Sequence, residues 1–189
     1  MTRLRVGFDL DGVLYDFAAS FARYLTMIGV SVAWPLVDGE PVCWYFYRQM
    51  MSDAEFVAHF RAGVDAGVIF SGPARPGAAE SVRRIREAGH SIHIVTDRSL
   101  GSPGRAQALT VAWLAEHGIG YDALTFSADK TVAALDVMVE DKIENWQELT
   151  AAGIPTYLVD RPWNTGHDVG EFRIPDVLDY ARAVTEGFV

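Results

Sequence analysis

From residue 76 onward the chain switches repeatedly between two hydrophobic periods, and no other feature narrows its fold as far. Pro76-Gly77 opens a helical stretch in which Val82 and Ile85 segregate from Arg83, Arg84 and Arg86, and Gly89 closes it. Ser91-Ile-His-Ile-Val-Thr96 then reads as a strand. A second helix is predicted from about Gly104 through Leu109, Trp113 and Leu114 to His117-Gly118. A strand near 123–127, a short helix from Lys130 and the strand Val137-Met-Val-Glu140 follow. Residues 143–152 read as a helix ending at Gly153, 155–159 as a strand, and 175–187 as a closing amphipathic helix. Near the other end, Arg5-Val-Gly-Phe-Asp-Leu10 is short, apolar and β-prone, so it reads as a buried strand. Strands alternating with helices predict an α/β protein with a parallel sheet covered on both faces. Such sheets bind ligands at the carboxyl ends of their strands, and the residues singled out below for chemistry follow predicted strands.

Residues 17–75 break the rhythm. One crossover needs only a dozen or more residues, and this stretch has roughly sixty. It carries Trp34, Trp44, Tyr45, Phe46, Tyr47, Phe56, Phe60 and Phe70. The economical reading is an inserted, mostly helical subdomain at 17–75, joined through Asp16-Phe17 and Gly72-Pro73, with a core formed by 1–16 and 76–189. A chain of 189 residues accommodates both.

Asp9-Leu10-Asp11-Gly12-Val13 is the most informative stretch. Period-2 geometry points both carboxylates to one side at the end of a strand, and Gly12 permits a sharp turn there. Two close carboxylates repel unless a cation lies between them or one is protonated. Oxygen ligands without His or Cys favour Mg²⁺ over zinc. Standing alone, such a pair serves equally as turn or capping aspartates. The histidines (His59, His90, His93, His117 and His167) show no ligand spacing and read as structural or surface residues, with His117 suited to a helix C-terminus. Trp113 reads as core, and the Arg83/Arg84/Arg86 cluster as a solvated face.

Cys43 is the only cysteine, which excludes a disulfide framework or a multi-Cys metal site and fits a reducing cytoplasm. The apolar stretch after Met-Thr-Arg-Leu-Arg is interrupted at once by Asp9 and Asp11, unlike a signal peptide. No stretch approaches the roughly 20 apolar residues of a membrane span. A formal net charge of −9 argues against nucleic-acid polymers and anionic membranes as partners. A small anion at a locally cationic site is still allowed.

Phe8-Asp9-Leu10-Asp11-Gly12-Val13-Leu14 resembles the first motif of the haloacid dehalogenase (HAD) superfamily of phosphotransferases. Three further stretches resemble the other motifs in order: Ile92-His-Ile-Val-Thr96-Asp97, Lys130 within Ala128-Asp-Lys-Thr131, and Val137-Met-Val-Glu140-Asp141. The resemblance implies a three-layer α/β/α Rossmann-like core with a parallel sheet and a small, mainly helical cap inserted after the first strand. It implies that Asp9 attacks a phosphomonoester to form an aspartyl-phosphate, and that Asp11 serves as acid and then base. Thr96, Asp97 and Lys130 would form the phosphate-binding set, Thr96 hydrogen-bonding a phosphoryl oxygen together with nearby backbone N–H groups. Asp9, Asp11 (through its carbonyl) and Asp141 would hold Mg²⁺, with Glu140 in support. Close relatives commonly carry two aspartates where this chain has Glu140-Asp141. Were Glu140 the direct ligand, the assignment would move by one residue.

Asp9-Leu-Asp-Gly-Val-Leu-Tyr-Asp16-Phe17, the Pro76-Gly77-Ala78 helix start and Asp129-Lys-Thr-Val before the acidic pair resemble the 5′(3′)-deoxyribonucleotidase branch, the cytosolic type C 5′-nucleotidases. That branch implies that Phe17 stacks on the base, with Trp44 a second substrate-binding candidate. Arg98 departs from the Ser-Pro continuation of the animal enzymes; it either contacts the phosphate or a sugar hydroxyl, or pairs with a cap carboxylate. Arg161-Pro-Trp-Asn164 resembles a loop of bacterial and phage members, placed at the cleft mouth or forming a turn anchored by Trp163. The expected function is a Mg²⁺-dependent hydrolase of (deoxy)nucleoside monophosphates. A phosphatase for sugar phosphates or other small phosphomonoesters would keep the chemistry and change the leaving group. A phospho-accepting signalling receiver is the reading from another class, but receivers carry their acceptor on a middle strand of a smaller domain. The expected partners are one small phosphorylated substrate and a second copy of the chain in a homodimer.

Overall fold

The strand that leads into Asp9 lies in the middle of the sheet. In the computed structural model, which describes residues 2–187, β1 (Arg5–Phe8) pairs in parallel with β4 (Ser91–Thr96) on one side and β6 (Val137–Glu140) on the other. β5 (Ala123–Phe126) flanks β4, while β7 (Thr156–Val159) and the short β8 (Arg173–Ile174) extend the sheet beyond β6. The order is β5-β4-β1-β6-β7-β8, with every pairing parallel. Val6, Phe8, Ile92, Ile94, Val95, Val137, Met138 and Val139 have no exposed surface. Such unbroken apolar strands suit a parallel sheet covered on both faces. Gly7 has no room for more: a Cβ there would meet Met138 Sδ at 2.5 Å.

α3 (Ala78–Glu87) and α6 (Val177–Glu186) pack together on the face that carries Phe8. Tyr180 meets the Phe8 ring edge-on at 5.1 Å and donates its hydroxyl to the Gly7 carbonyl at 3.1 Å. α5 (Ile143–Ala151) covers the other face, where Leu149 joins Val95 and Met138. These helices and the sheet make a three-layer α/β/α fold. α4 (Arg105–Glu116) buries Trp113, whose indole N–H donates to the Gly72 carbonyl at 2.8 Å. Arg83 and Arg84 lie exposed and pair with Glu80 and Glu87 of their own helix, as a solvated face should.

Residues 17–75 hold α1 (Phe17–Met27), the two-stranded hairpin β2 (Leu36–Val37) and β3 (Glu40–Pro41), a 3₁₀ turn (Phe46–Gln49) and α2 (Asp53–Asp65). The hairpin is not in the mostly helical expectation. Its turn is Asp38-Gly39, both at positive φ, a dipeptide that two-residue hairpins favour. Rings fill this region: Phe21 meets Phe56 at 5.1 Å, Trp34 meets Phe46 at 4.7 Å, and Tyr47 stacks on Phe56 at 3.8 Å. A capping box of Ser52 and Glu55 starts α2. Among the described residues, no helix is long and apolar enough to cross a membrane.

Candidate active site

Three adjacent strands deliver the site. Asp9 follows β1, Thr96 ends β4, and Glu140-Asp141 closes β6, so the register of the sheet sets their spacing. Beyond Asp9 the chain folds back at once: the N–H groups of Val13, Leu14 and Tyr15 all donate to the Leu10 carbonyl. Gly12 enables this turn at a φ of +80°. Its lack of a side chain is needed for a second reason, because a Cβ would stand 2.0 Å from Asp141 Oδ2. Lys130 opens a 3₁₀ turn capped by Asp129 after β5, and its ammonium reaches Asp9 Oδ1 at 2.9 Å and Glu140 Oε1. Burial alone would lower Lys130, but Asp9 and Glu140 outweigh it and raise the ammonium, which stays charged.

The acidic side chains are crowded. Asp9, Glu140 and Asp141, all buried, each offer an oxygen within 4.8 Å of the others. Burial pushes the Glu140 carboxyl up to about 7 against the pull of Lys130. Burial, then Asp9 and Glu140, push the Asp141 carboxyl well above its ordinary value. A cation among them would relieve that repulsion. The two oxygens of Glu140 are bonded to Lys130 and, at 3.3 Å, to Asn145 Nδ2. Asp141 Oδ1 is buried without a hydrogen-bond partner. An all-oxygen donor set with one bare buried oxygen fits a hard divalent cation.

The structure also brings Thr96 and Asp97 to this cleft. Thr96 is fully buried and its hydroxyl has no partner, while the Asp97 carboxylate accepts from Ser99 N at 2.9 Å. That carboxylate cannot donate to an anion, so an anion could use only the Asp97 backbone N–H. Of the two roles expected for Arg98, the pairing with a carboxylate of residues 17–75 is the one the structure replaces. Arg98 grips Asp11 with both terminal nitrogens, one at 3.1 Å, rather than a carboxylate of residues 17–75. Its Nε donates to Thr110 Oγ1 at 3.0 Å, its Nη1 also donates to the Asp97 carbonyl at 2.9 Å, and its guanidinium lies over the Phe70 ring at 3.8 Å. Burial raises the Asp11 carboxyl and Arg98 opposes the rise.

The cleft has a volume of about 350 Å³ and two unlike walls. Asp9, Asp11, Thr96 and Lys130 form the polar one; Phe17, Trp44 and neighbouring rings of residues 17–75 form the other. Phe17 lies among Phe21, Phe46, Phe56 and Phe60, its ring 5.3 Å from that of Phe60. Trp44 meets Trp163 at 6.0 Å, and the Lys142 ammonium lies 5.5 Å from the Trp44 ring centre.

Residues 3–181 match the family described as 5′ nucleotidase, deoxy (pyrimidine), cytosolic type C. The chain belongs to this family. A protein of Chlorobaculum tepidum named as a 5′(3′)-deoxyribonucleotidase is 30% identical over 192 residues, covering 94% of this chain and 90% of that one. The fold is that of L-2-haloacid dehalogenase from Xanthobacter autotrophicus, with a TM-score of 0.63 at 16% identity over 98% of this chain and 99% of that chain. The HAD hydrolase YfnB of Bacillus subtilis, solved with magnesium bound, aligns at a TM-score of 0.62 and 14% identity, covering 97% and 99%. This nucleotidase-family chain is therefore a HAD-type phosphatase, and its acidic cluster is suited to a divalent metal.

Some residues of this family member reach the site without a sequence signal. Asn145, in the first turn of α5, caps Glu140. Glu40 of the hairpin pairs with Arg75, within the same stretch, at 2.5 Å and reaches Arg161 at 3.8 Å, and the second contact ties residues 17–75 to the loop after β7. The Arg161–Asn164 loop does more than turn. Arg161 Nε donates to the Gly12 carbonyl at 2.8 Å, and Trp163 and Asn164 both donate to Asp141. Sequence resemblance marks this loop but gives no indication of what it touches.

Proposed function

We propose that this phosphatase is a Mg²⁺-dependent 5′(3′)-nucleotidase acting on (deoxy)nucleoside monophosphates through an aspartyl-phosphate on Asp9. One observation carries the reading: the Asp9 carboxylate, steadied by Lys130, opens into the same cleft as the aromatic wall of Phe17 and Trp44. A phosphate at the polar wall leaves its nucleoside against rings suited to stacking.

In the first step Asp9 attacks phosphorus, the ester P–O bond breaks, and Asp11 passes its proton to the leaving alkoxide. In the second, Asp11 takes a proton from water, the water oxygen bonds to phosphorus, and the bond to Asp9 breaks to release phosphate. Arg98 holds the Asp11 carboxylate in place for both transfers. Thr96 Oγ1 and the N–H groups around Asp97 bind phosphoryl oxygens, and Lys130 balances their charge. Asp9, Asp141 and the Asp11 carbonyl would hold Mg²⁺, which when bound adds positive charge beside the phosphoryl group. Glu140 orients Lys130. Residues 17–75 act as a cap over the core of 1–16 and 76–189, selecting the leaving group and excluding water. The lone Cys43 and the family's cytosolic type accord with a cytoplasmic enzyme.

A phosphate-release screen over nucleoside 5′- and 3′-monophosphates and sugar phosphates, with Mg²⁺ and with chelator, tests this. Nucleotides should lead, and the activity should vanish with chelator. A preference for sugar phosphates over every nucleotide would overturn the nucleotidase reading and leave the phosphatase in place.

A further inference from the structure

The Arg161–Asn164 loop ends against Asp141, and its two polar tips do different work there. Asn164 is wholly buried. Its Nδ2 donates to the carbonyls of Asp141 at 2.7 Å and Val159 at 2.8 Å, and its Oδ1 accepts from Arg161 N and Arg173 Nη1, both at 3.2 Å. Those bonds fasten the loop to the sheet without help. Trp163 adds one that the loop does not require: its indole N–H lies 3.1 Å from Asp141 Oδ2 and 3.2 Å from the Asp141 carbonyl. Trp113 and Trp146, by contrast, give their indole N–H groups to backbone carbonyls, those of Gly72 and Thr156.

Asp141 Oδ2 is thus trapped between the indole and the bare α-carbon of Gly12, where a Cβ would stand 2.0 Å away. The carboxylate cannot rotate freely, and Oδ1 is the oxygen left bare. A neutral donor suits this position. An indole N–H orients the oxygen without cancelling the negative charge that a cation needs, whereas a lysine or arginine there would compete with the ion.

From this we infer that Trp163 is a positioning residue for the divalent metal: it fixes Asp141 through Oδ2 so that Oδ1 faces the ion. The inference rests on the reading above that Asp141 binds the metal. Trp163→Phe removes the N–H and keeps a ring against Trp44. Titrated with Mg²⁺ alone by calorimetry, this variant should bind about 10- to 100-fold more weakly than wild type. The metal-free melting temperature should stay close to wild type, and kcat should recover at saturating Mg²⁺. A folded variant with wild-type Mg²⁺ affinity overturns the proposal. Absence of Mg²⁺ binding in the wild type would instead overturn the metal reading beneath it. Should the variant fail to fold, the assigned indole resonances of the wild-type protein decide. The Trp163 N–H must shift on Mg²⁺ saturation, and a stationary signal overturns the assignment.

Discussion

Asp9 and Phe17 both line the cleft, yet different forces hold them there. Asp9 follows a strand with parallel neighbours on both sides, and its own N–H donates to the Val139 carbonyl at 3.2 Å. Backbone bonds fix it, largely regardless of which apolar side chains fill the faces of the sheet. Phe17 opens a helix and is held by rings, with Phe21 stacked at 5.9 Å and Phe60 at 5.3 Å. Ring packing has no direction comparable to a hydrogen-bond ladder, and a cluster of this kind tolerates exchange of one apolar shape for another. The contrast suggests a division of labour. Under the function proposed above, the reacting atoms sit where the backbone sets position, and the surface that meets the rest of the substrate sits where side chains can be exchanged.

The widest gap between the two regions should appear in Asp9→Asn. Turnover should fall by at least about 10⁴-fold, as for loss of a catalytic nucleophile, while the fold stays intact. Lys130 keeps Glu140 as a partner, and one charge of a crowded acidic cluster is gone, so the metal-free melting temperature should hold or rise. A variant that unfolds would show that the ladder alone does not fix Asp9. Next comes Phe21→Ala, which hollows out the insertion and should cost about 3–5 kcal/mol. Hydrogen exchange should quicken in α1 and α2 and stay slow in β1, β4 and β6. Nucleotide KM should rise while kcat on a small aryl phosphate changes little; equal losses on both substrates would break the comparison. The smallest effect belongs to the rim of the core. Arg5 holds the Asp136 carboxyl below its ordinary value, so that contribution is intact above a pH of about 4 and fades as the pH drops through the lowered pKa. The melting temperature of Asp136→Asn should therefore lie slightly below wild type at pH 7 and converge with it in acid.

The long elements were legible because each shows its period over several residues, as Ser91–Thr96 and Ala78–Glu87 do. β8 and the β2–β3 hairpin were not, since strands of two residues carry no period. The meeting of Asp9, Thr96, Lys130 and Asp141 in one cluster could be read because each lies at or beyond the carboxyl end of a strand and the motifs come in order. The Asp11 pairing of Arg98 is not legible in the sequence, for a physical reason. A long side chain can swing either way from its strand end, and only the position of Asp11 and Thr110 decides which. Asn145, Trp163 and Asn164 were invisible as partners of the acidic pair, because their contacts depend on how α5 and a distant loop close over β6.

The central place of β1 has a consequence for how the chain is made. Arg5 pairs with Ser91, and Val6 with Val137, so the innermost strand is synthesised well before either neighbour. Until β4 emerges, a sticky apolar ribbon has no native edge to join, and until β6 emerges it has only one. Contacts so far apart in sequence are slow to form and leave apolar surface open to association. During synthesis the aromatic stretch 17–75 is complete before either partner of β1 exists, so the newborn chain can bury that segment first and hold β1 in reserve.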